Sequence, residues 1–402
     1  MTIFEIGTGY TSIPARIGAA TEIVVEQLTN SLLKLNHKAL IVDIKDNNRA
    51  HTSLPIEEVA VPNFIFKTDI SLGIMHKVRR VVYSIALARK LNKLIKKIEG
   101  QHIVLHFHNQ YNLYFFLKLT RKSRLKNITI AYTVHSYVWH GNWDDIKDTV
   151  KKRYFQEVYC CQKADAVFTL NPVVTAMLTE HCNVDPNKVH NVINGINTDV
   201  YCPLNDKQKQ EALKHFNINP DAKIILQVGS VCDRKNQLDT LLKIMPLLKR
   251  RNDVMYCFVG GVIDESYLHS INDEAQKHGI SEQVRYLGEL QPGCELNMLY
   301  GIAQAAVMNS KREAFCLVVF ESLAAGTPTF VNHAIMQSQP SFNNHESEGI
   351  LPINEDFVSQ LENIINNHDR HTKLAIMGRE MIKNDFSWDI AAKQYLQFLS
   401  TQ

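Results

Sequence analysis

Twice along this chain, short runs rich in β-branched and aromatic residues alternate with amphipathic helical stretches, and few folds accommodate that rhythm. In the front half the runs are TIFEIGTG, KALIVDI, HIVLHFHN, ITIAYTVH and ADAVFTL, with helical spacing between them, as from Ala19 to Leu35. In the back half KIILQVGS, DVMYCFVGG, QVRYLGEL, AAVMNS and TPTFVN repeat the pattern. Short apolar strands separated by helices belong to parallel sheets covered on both faces. Two such sheets in series, joined near NVINGINTDVYCPLN, predict an α/β chain of two Rossmann-like domains facing each other across a cleft. A length of 402 residues suits two domains of about 200 residues each.

Composition narrows the class. An apolar fraction of 45% with 21% charged residues is that of a soluble globular protein, and no apolar run approaches the roughly 20 residues that span a bilayer. The start, MTIFEIGTGYTS, lacks the basic, apolar and small-residue segments of a signal peptide. Eight scattered cysteines without a CxxC pair point away from zinc and from a disulfide framework, toward a reducing cytoplasm.

Charge is unevenly placed. Residues 1–200 hold 25 Lys and Arg against 17 Asp and Glu, whereas residues 201–402 hold 19 against 24. Much of the basic excess lies in HKVRRVVYSIALARKLNKLIKKIEG. There Val78, Val82, Ile85, Leu91, Ile95 and Ile98 follow helical spacing, and Lys90, Lys93 and Lys97 mark another face. Such a face is either solvated surface or a surface that rests on anionic lipid or an acidic acceptor.

In doubly wound sheets, ligands bind beyond the carboxyl ends of the strands, so the residues that follow each strand are the informative ones. After the first strand, Gly7, Gly9 and Gly18 permit tight turns, but GxGxxG lacks its third glycine, which disfavours a dinucleotide site. After ITIAYTV come His135 and His140; a histidine at a strand end is more often a packed or surface residue than a catalytic one. In VGSVCDRKNQ, Gly229 ends a strand, and Arg234 and Lys235 stand where a helix begins. Two cations at the positive end of a helix are unfavourable alone, so their placement asks for an anion such as phosphate. In KREAFCLVVFESLAAGTP, Lys311 to Cys316 reads as a loop and Leu317 to Ala325 as a helix closed by Gly326 and Pro328. Glu321, one turn in, can accept two hydrogen bonds from a ribose diol, and Glu313 reaches the group beyond the phosphates. The ligand so described is a nucleotide diphosphate bonded to something that bears hydroxyls.

The spacing of Glu313 and Glu321, AAGTP after them, VGSVCDRKN, INGIN at Ile193–Asn197, TVHS at His135 and FSW at Phe386–Trp388 together resemble the retaining GT-B glycosyltransferases of family 4. The resemblance implies a hexosyltransferase-type enzyme that moves a hexose or N-acetylhexosamine, from a UDP-sugar above other donors, to a glycan or lipid-linked acceptor in cell-surface polysaccharide or glycoconjugate synthesis. It implies retention at the anomeric carbon, no cofactor and no obligatory metal, and the sequence holds no DxD motif. Lys235 and Arg234 match the basic pair on the donor diphosphate, Glu321 the ribose ligand, Glu313 the carboxylate near the donor sugar, and His135 the front-domain histidine facing that sugar. Gly229, Phe315, Cys316 and Leu317 line the donor, and Gly18 lies in the glycine-rich loop on the acceptor side. Ser230 replaces an arginine common in the family, and Ala314 and Cys316 replace the usual glycines of the loop after Glu313. The expected division is 1–198 for the acceptor side and 199–385 for the nucleotide-sugar side, with a helix at 386–402 packing back on the first. Lys235, Glu313 and His135 carry catalysis in this reading. Glu321→Gln weakens nucleotide binding, and Glu313→Gln lowers turnover at little cost in nucleotide affinity. The expectation is a cytoplasmic protein without a nucleic-acid partner, whose basic face rests on anionic membrane if it is not simply solvated surface. An inactive partner subunit or a sugar-nucleotide epimerase on the same fold are the alternatives.

Overall fold

The computed structural model describes residues 1–15, 20–62, 74–98, 100–139, 143–313, 315–338 and 349–399. They form two compact units: Met1–Gly195 with Trp388–Gln402, and Ile196–Ser387.

The first unit is built on seven parallel strands: β1 (Thr2–Ile6), β2 (Lys38–Ile44), β3 (Ile56–Val59), β4 (Ile103–Phe107), β5 (Ile128–Val134), β6 (Ala166–Thr169) and β7 (Val189–Asn191), in the order β3-β2-β1-β4-β5-β6-β7. β1 and β4 are buried at every position, as strands covered on both faces must be. The helices are α1 (Ala20–Lys34), α2 (Ile74–Lys97), α3 (Gln110–Leu119), α4 (Trp143–Thr149), α5 (Phe155–Lys163) and α6 (Pro172–His181). Asn109 caps α3 by accepting from the Tyr111 and Asn112 amides, and Asn171 caps α6 with Pro172 behind it, so each helix starts where a strand-end asparagine satisfies its free N–H groups. The helix Trp388–Leu399 packs against α1 and sends Tyr395 into the core beside Phe168. Gly9, at φ +80°, turns the chain after β1 against the Tyr83 ring, which leaves no room for a Cβ.

The stripe read for α2 needs correction. Val78 is exposed and Val82 and Ile85 only half-buried; the buried face is Tyr83, Leu87, Leu91, Leu94 and Ile95. Lys90 is not free surface either, because its Nζ pairs with Glu57 at 2.7 Å. Lys93, Lys96 and Lys97 are exposed.

The second unit has six parallel strands: β8 (Lys223–Val228), β9 (Val254–Val259), β10 (Val284–Tyr286), β11 (Ala303–Met308), β12 (Thr329–Asn332) and β13 (Ile350–Ile353), in the order β10-β9-β8-β11-β12-β13. Its helices include α7 (Asp206–His215), α8 (Gln237–Arg250), α9 (Glu265–Lys277), α10 (Cys294–Ile302) and α11 (Leu317–Ala324). The strand order steps outward in both directions from β8 and β11, so the loops after these two strands flank the switch point where such sheets bind ligands. Ile196 forms a bridge with Ser387, and its amide donates to the Phe386 carbonyl at 2.8 Å, which joins the first and last residues of this unit. Among the described residues no helix is long and apolar enough to cross a membrane.

Candidate donor-binding site

The two loops at the switch point are stapled together. After β8 the chain turns at Gly229 and passes through a single 3-10 turn, Asp233–Lys235. Asn236 follows at φ +62°, a left-handed position that asparagine tolerates, and α8 begins at Gln237. Arg234 and Lys235 therefore precede the helix rather than open it. The buried Gln227 donates from Nε2 to the Lys235 carbonyl at 2.7 Å and accepts from the Tyr256 hydroxyl at 2.8 Å, so the backbone that carries Lys235 is held from the core. Across the gap, the Lys311 amide donates to the Arg234 carbonyl at 2.8 Å, and the Lys311 ammonium pairs with Asp233 at 2.7 Å.

Three predicted residues converge here. The Glu313 Oε1 receives Lys235 Nζ at 2.6 Å and an Arg234 guanidinium nitrogen at 2.8 Å, while that guanidinium also donates to the Arg312 carbonyl at 3.0 Å. The anion that the basic pair asks for is, in this structure, the Glu313 carboxylate. Burial pushes the Glu313 carboxyl up, but Lys235 and then Arg234 outweigh it, and the group is held below the usual carboxylate range. The cluster is ionised as a triad of two cations and one anion. Gly229 is required beside it: a Cβ there would stand 3.0 Å from the Lys235 chain, at φ +149°.

Glu321 has a different setting from the open ribose ligand expected. It is buried one turn inside α11, and the Tyr300 hydroxyl donates to its Oε2 at 3.1 Å, with Tyr201 as a second phenol donor. Burial raises the Glu321 carboxyl to about 7 despite those donors. Two of its roughly four lone-pair sites are taken, which leaves capacity for a diol. Phe315 stacks on Phe320 at 4.9 Å with parallel rings, Cys316 is buried at the start of α11, and Leu317 is its half-buried first residue. Gly18, His140 and Ala314 lie outside the described residues.

His135 belongs to the first unit, at the end of β5, where its Nε2 lies 3.0 Å from His108 Nδ1. Sequence reasoning missed its company. Glu5 in β1 is matched in register with His106 in β4, and its carboxylate meets His106 Nδ1 at 2.9 Å and His108 Nε2 at 2.8 Å. A glutamate inside TIFEI and histidines at alternate positions of HFH were the available signal, since strands buried on both faces seldom carry such residues unpaired. These three side chains have donor types that suit a metal, but ligands at about 2.0 Å from tetrahedral zinc stand roughly 3.3 Å apart; the spacing here is that of hydrogen bonds. Glu157 was missed without any signal. It is a buried acceptor for Tyr132 at 2.7 Å, Ser136 at 2.9 Å and Trp139 at 2.9 Å, and it braces the segment that follows His135.

Comparison with known proteins fits this architecture. Residues 21–200 match the model of Glycosyltransferase Family 4, and residues 208–381 match that of Glycosyl transferases group 1. The chain belongs to the GT-B glycosyltransferases, a family of transferase enzymes. Curated relatives include a D-inositol 3-phosphate glycosyltransferase of Corynebacterium aurimucosum, 26% identical over 67% of this chain and 65% of the relative. A mannosylfructose-phosphate synthase of Agrobacterium fabrum is 23% identical over 63% of this chain and 56% of the relative. The chain thus spans less than two thirds of the length of either. Among solved structures, a sucrose-phosphate synthase of Thermosynechococcus elongatus aligns over 100% of both chains with TM-score 0.76 and 19% identity. Anabaena HepE in complex with UDP and glucose aligns over 100% of both with TM-score 0.72 and 12% identity.

Proposed function

We propose that this chain is a retaining glycosyltransferase that takes a hexose or N-acetylhexosamine from a nucleotide-diphosphate sugar, UDP-linked above others, and passes it to a glycan or lipid-linked acceptor. The observation that carries the reading is the convergence of Arg234 and Lys235 on Glu313 beside the switch point of a parallel sheet. Cleavage of a sugar–phosphate bond leaves negative charge on the diphosphate and develops positive charge on the sugar. Two fixed cations offset the first and a carboxylate offsets the second, so the triad already has the charges that the transition state needs. In this reading the diphosphate displaces Glu313 from the cations, which then compensate its charge without a metal ion, and the freed carboxylate turns to the sugar. The leaving phosphate oxygen takes the acceptor proton on the same face, so no protein nucleophile is required. Cytoplasmic location and service in cell-surface polysaccharide synthesis complete the proposal. The HepE structure holds UDP and glucose, which makes UDP-sugars the first donors to try.

The test is a panel of UDP-, GDP- and ADP-sugars incubated with purified protein in EDTA, read for released nucleotide. Hydrolysis of one donor, accelerated by acceptor, is expected. Conversion to an isomeric sugar nucleotide without acceptor would identify an epimerase, and no turnover with any donor would indicate an inactive partner subunit.

Glu321 gives the site a pH dependence. Ribose hydroxyls that donate to the carboxylate favour its ionised form, so binding releases a proton wherever the free protein holds one. With the carboxyl near pH 7 in the free protein, UDP affinity rises through neutrality, by up to about tenfold from pH 6 to pH 8. In Glu321→Gln the slope falls to that of the nucleotide itself and affinity is lower throughout. Calorimetric titrations across that range decide the assignment, and equal slopes for both proteins would remove Glu321 from the ribose site.

The basic face of α2 supports peripheral contact with membrane. Each exposed cation near an anionic bilayer contributes about 1 kcal/mol before screening. Since Lys90 is paired with Glu57, the residues to reverse are Lys93, Lys96 and Lys97. Salt-sensitive sedimentation with vesicles containing phosphatidylserine is expected, and its loss when all three become Glu. Binding indifferent to that change would leave the face as solvated surface.

A further inference from the structure

The first unit buries a line of polar groups that the donor triad does not use. Its order is Tyr395, Thr133, His106, Glu5, His108, His135: the Tyr395 hydroxyl lies 3.5 Å from Thr133 Oγ1, which is 2.7 Å from His106 Nε2, and Glu5 joins His106 to His108. Glu5, His106 and His108 side chains are at most 1% exposed, whereas His135 is half-buried.

The protons along this line can be counted. Burial raises the Glu5 carboxyl, but the adjoining His106 and then the hydrogen bonds from both rings prevail and hold it at about 2. An ionised carboxylate only accepts, so His106 Nδ1 and His108 Nε2 must both carry hydrogen. Burial, and then the neighbouring His106, hold His108 down to about 4, so its ring is neutral at pH 7 and its one hydrogen is on Nε2. His108 Nδ1 is then a bare lone pair. The 3.0 Å contact between this nitrogen and His135 Nε2 can be made only if His135 donates. Burial first, then His108 and His106, also keep His135 well below the usual imidazole range. With its hydrogen on Nε2, its Nδ1 is bare as well.

We infer that Glu5 and His108 are positioning residues that lock His135 in its Nε2-protonated tautomer, so that Nδ1 serves at the end of β5 as an acceptor for a hydroxyl of the substrate. The inference rests on the reading of His135 as a residue that meets the substrate, and it assigns the ring the work of an oriented neutral acceptor rather than of a cation.

In ligand-free protein labelled with 15N-histidine, His135 is expected to show hydrogen on Nε2 alone at pH 7, with a coupling across the hydrogen bond to His108 Nδ1. His108→Phe removes the acceptor; the coupling disappears, Nδ1-protonated His135 appears, and the ring titrates nearer the ordinary imidazole range. His108→Asn places a carbonyl oxygen where Nδ1 stood and keeps the Nε2-protonated form. Hydrogen on His135 Nδ1 or a charged ring in the wild type would overturn the lock, as would unchanged His135 signals in His108→Phe. Should the Phe variant not fold, the wild type and His108→Asn still decide. With UDP-glucose as probe, His108→Phe is expected to lower hydrolysis at least tenfold and His108→Asn to recover most of it. A lock seen in the spectra with undiminished hydrolysis in His108→Phe would overturn the role toward substrate. Absence of hydrolysis in the wild type would count against UDP-glucose as donor and not against the lock.

Discussion

Replacing Lys235 by alanine is expected to abolish transfer and to leave the fold intact. The side chain is 12% exposed and its ammonium sits 2.6 Å from Glu313, in the cluster that is to receive the diphosphate. Charge that develops on the leaving group must be met by a preformed cation, because water ordered after the fact costs reorganisation. By analogy with an oxyanion-hole donor the loss is about 2.7–4 kcal/mol, or roughly a hundred- to a thousandfold in kcat. The fold survives because the turn is held by backbone: Gln227 reaches the residue-235 carbonyl and Lys311 the residue-234 carbonyl, neither through the Lys235 side chain. A circular dichroism melt like that of the wild type, with released nucleotide reduced by two orders of magnitude or more, is the expected pair of results. Turnover within a few fold of wild type would remove the triad from the reaction.

The sequence made the interior strands legible and left most edges dark. Three runs that were not read as strands are β3, β7 and β13, each the outermost of its sheet. An edge strand has a neighbour on one side only and need not be apolar, and β3, IEEV, carries two glutamates. The face of α2 was misplaced for another reason. Val81, Val82, Ile85 and Ala86 make the side of the helix opposite Leu87 and Leu91 apolar as well, so the 3.6-residue period does not select a side and packing against the sheet decides. At the site, spacing marked Glu313, Arg234 and Lys235, but their mutual pairing was invisible, since the loops of Asp233–Lys235 and Lys311–Glu313 are nearly 80 residues apart in sequence and meet only through the adjacency of β8 and β11. Tyr201 and Tyr300 around Glu321 were unreadable for the same reason.

That pairing changes what Glu313→Gln should do. From sequence alone the amide leaves nucleotide affinity nearly unaltered. In the structure Glu313 neutralises one of two cations, so a diphosphate must compete with it for Arg234 and Lys235. Removing one negative charge raises the charge of the triad from +1 to +2. Unit charges about 4 Å apart interact by about 4 kcal/mol at an effective dielectric of 20. Part of that is lost to solvent and to the geometry of the bound state, which leaves about 1.4 kcal/mol, or tenfold tighter binding of free UDP. Turnover moves the other way. The amide cannot balance positive charge on the sugar, and tighter ground-state binding of the diphosphate does nothing for the transition state, so kcat falls by about two orders of magnitude. Opposite movements of UDP affinity and kcat in one variant are what separate a carboxylate that occupies the phosphate site at rest from one that only braces a loop. If Glu313→Gln binds UDP more weakly than the wild type, the carboxylate is bracing the cations for the nucleotide rather than competing with it, and the displacement step is wrong.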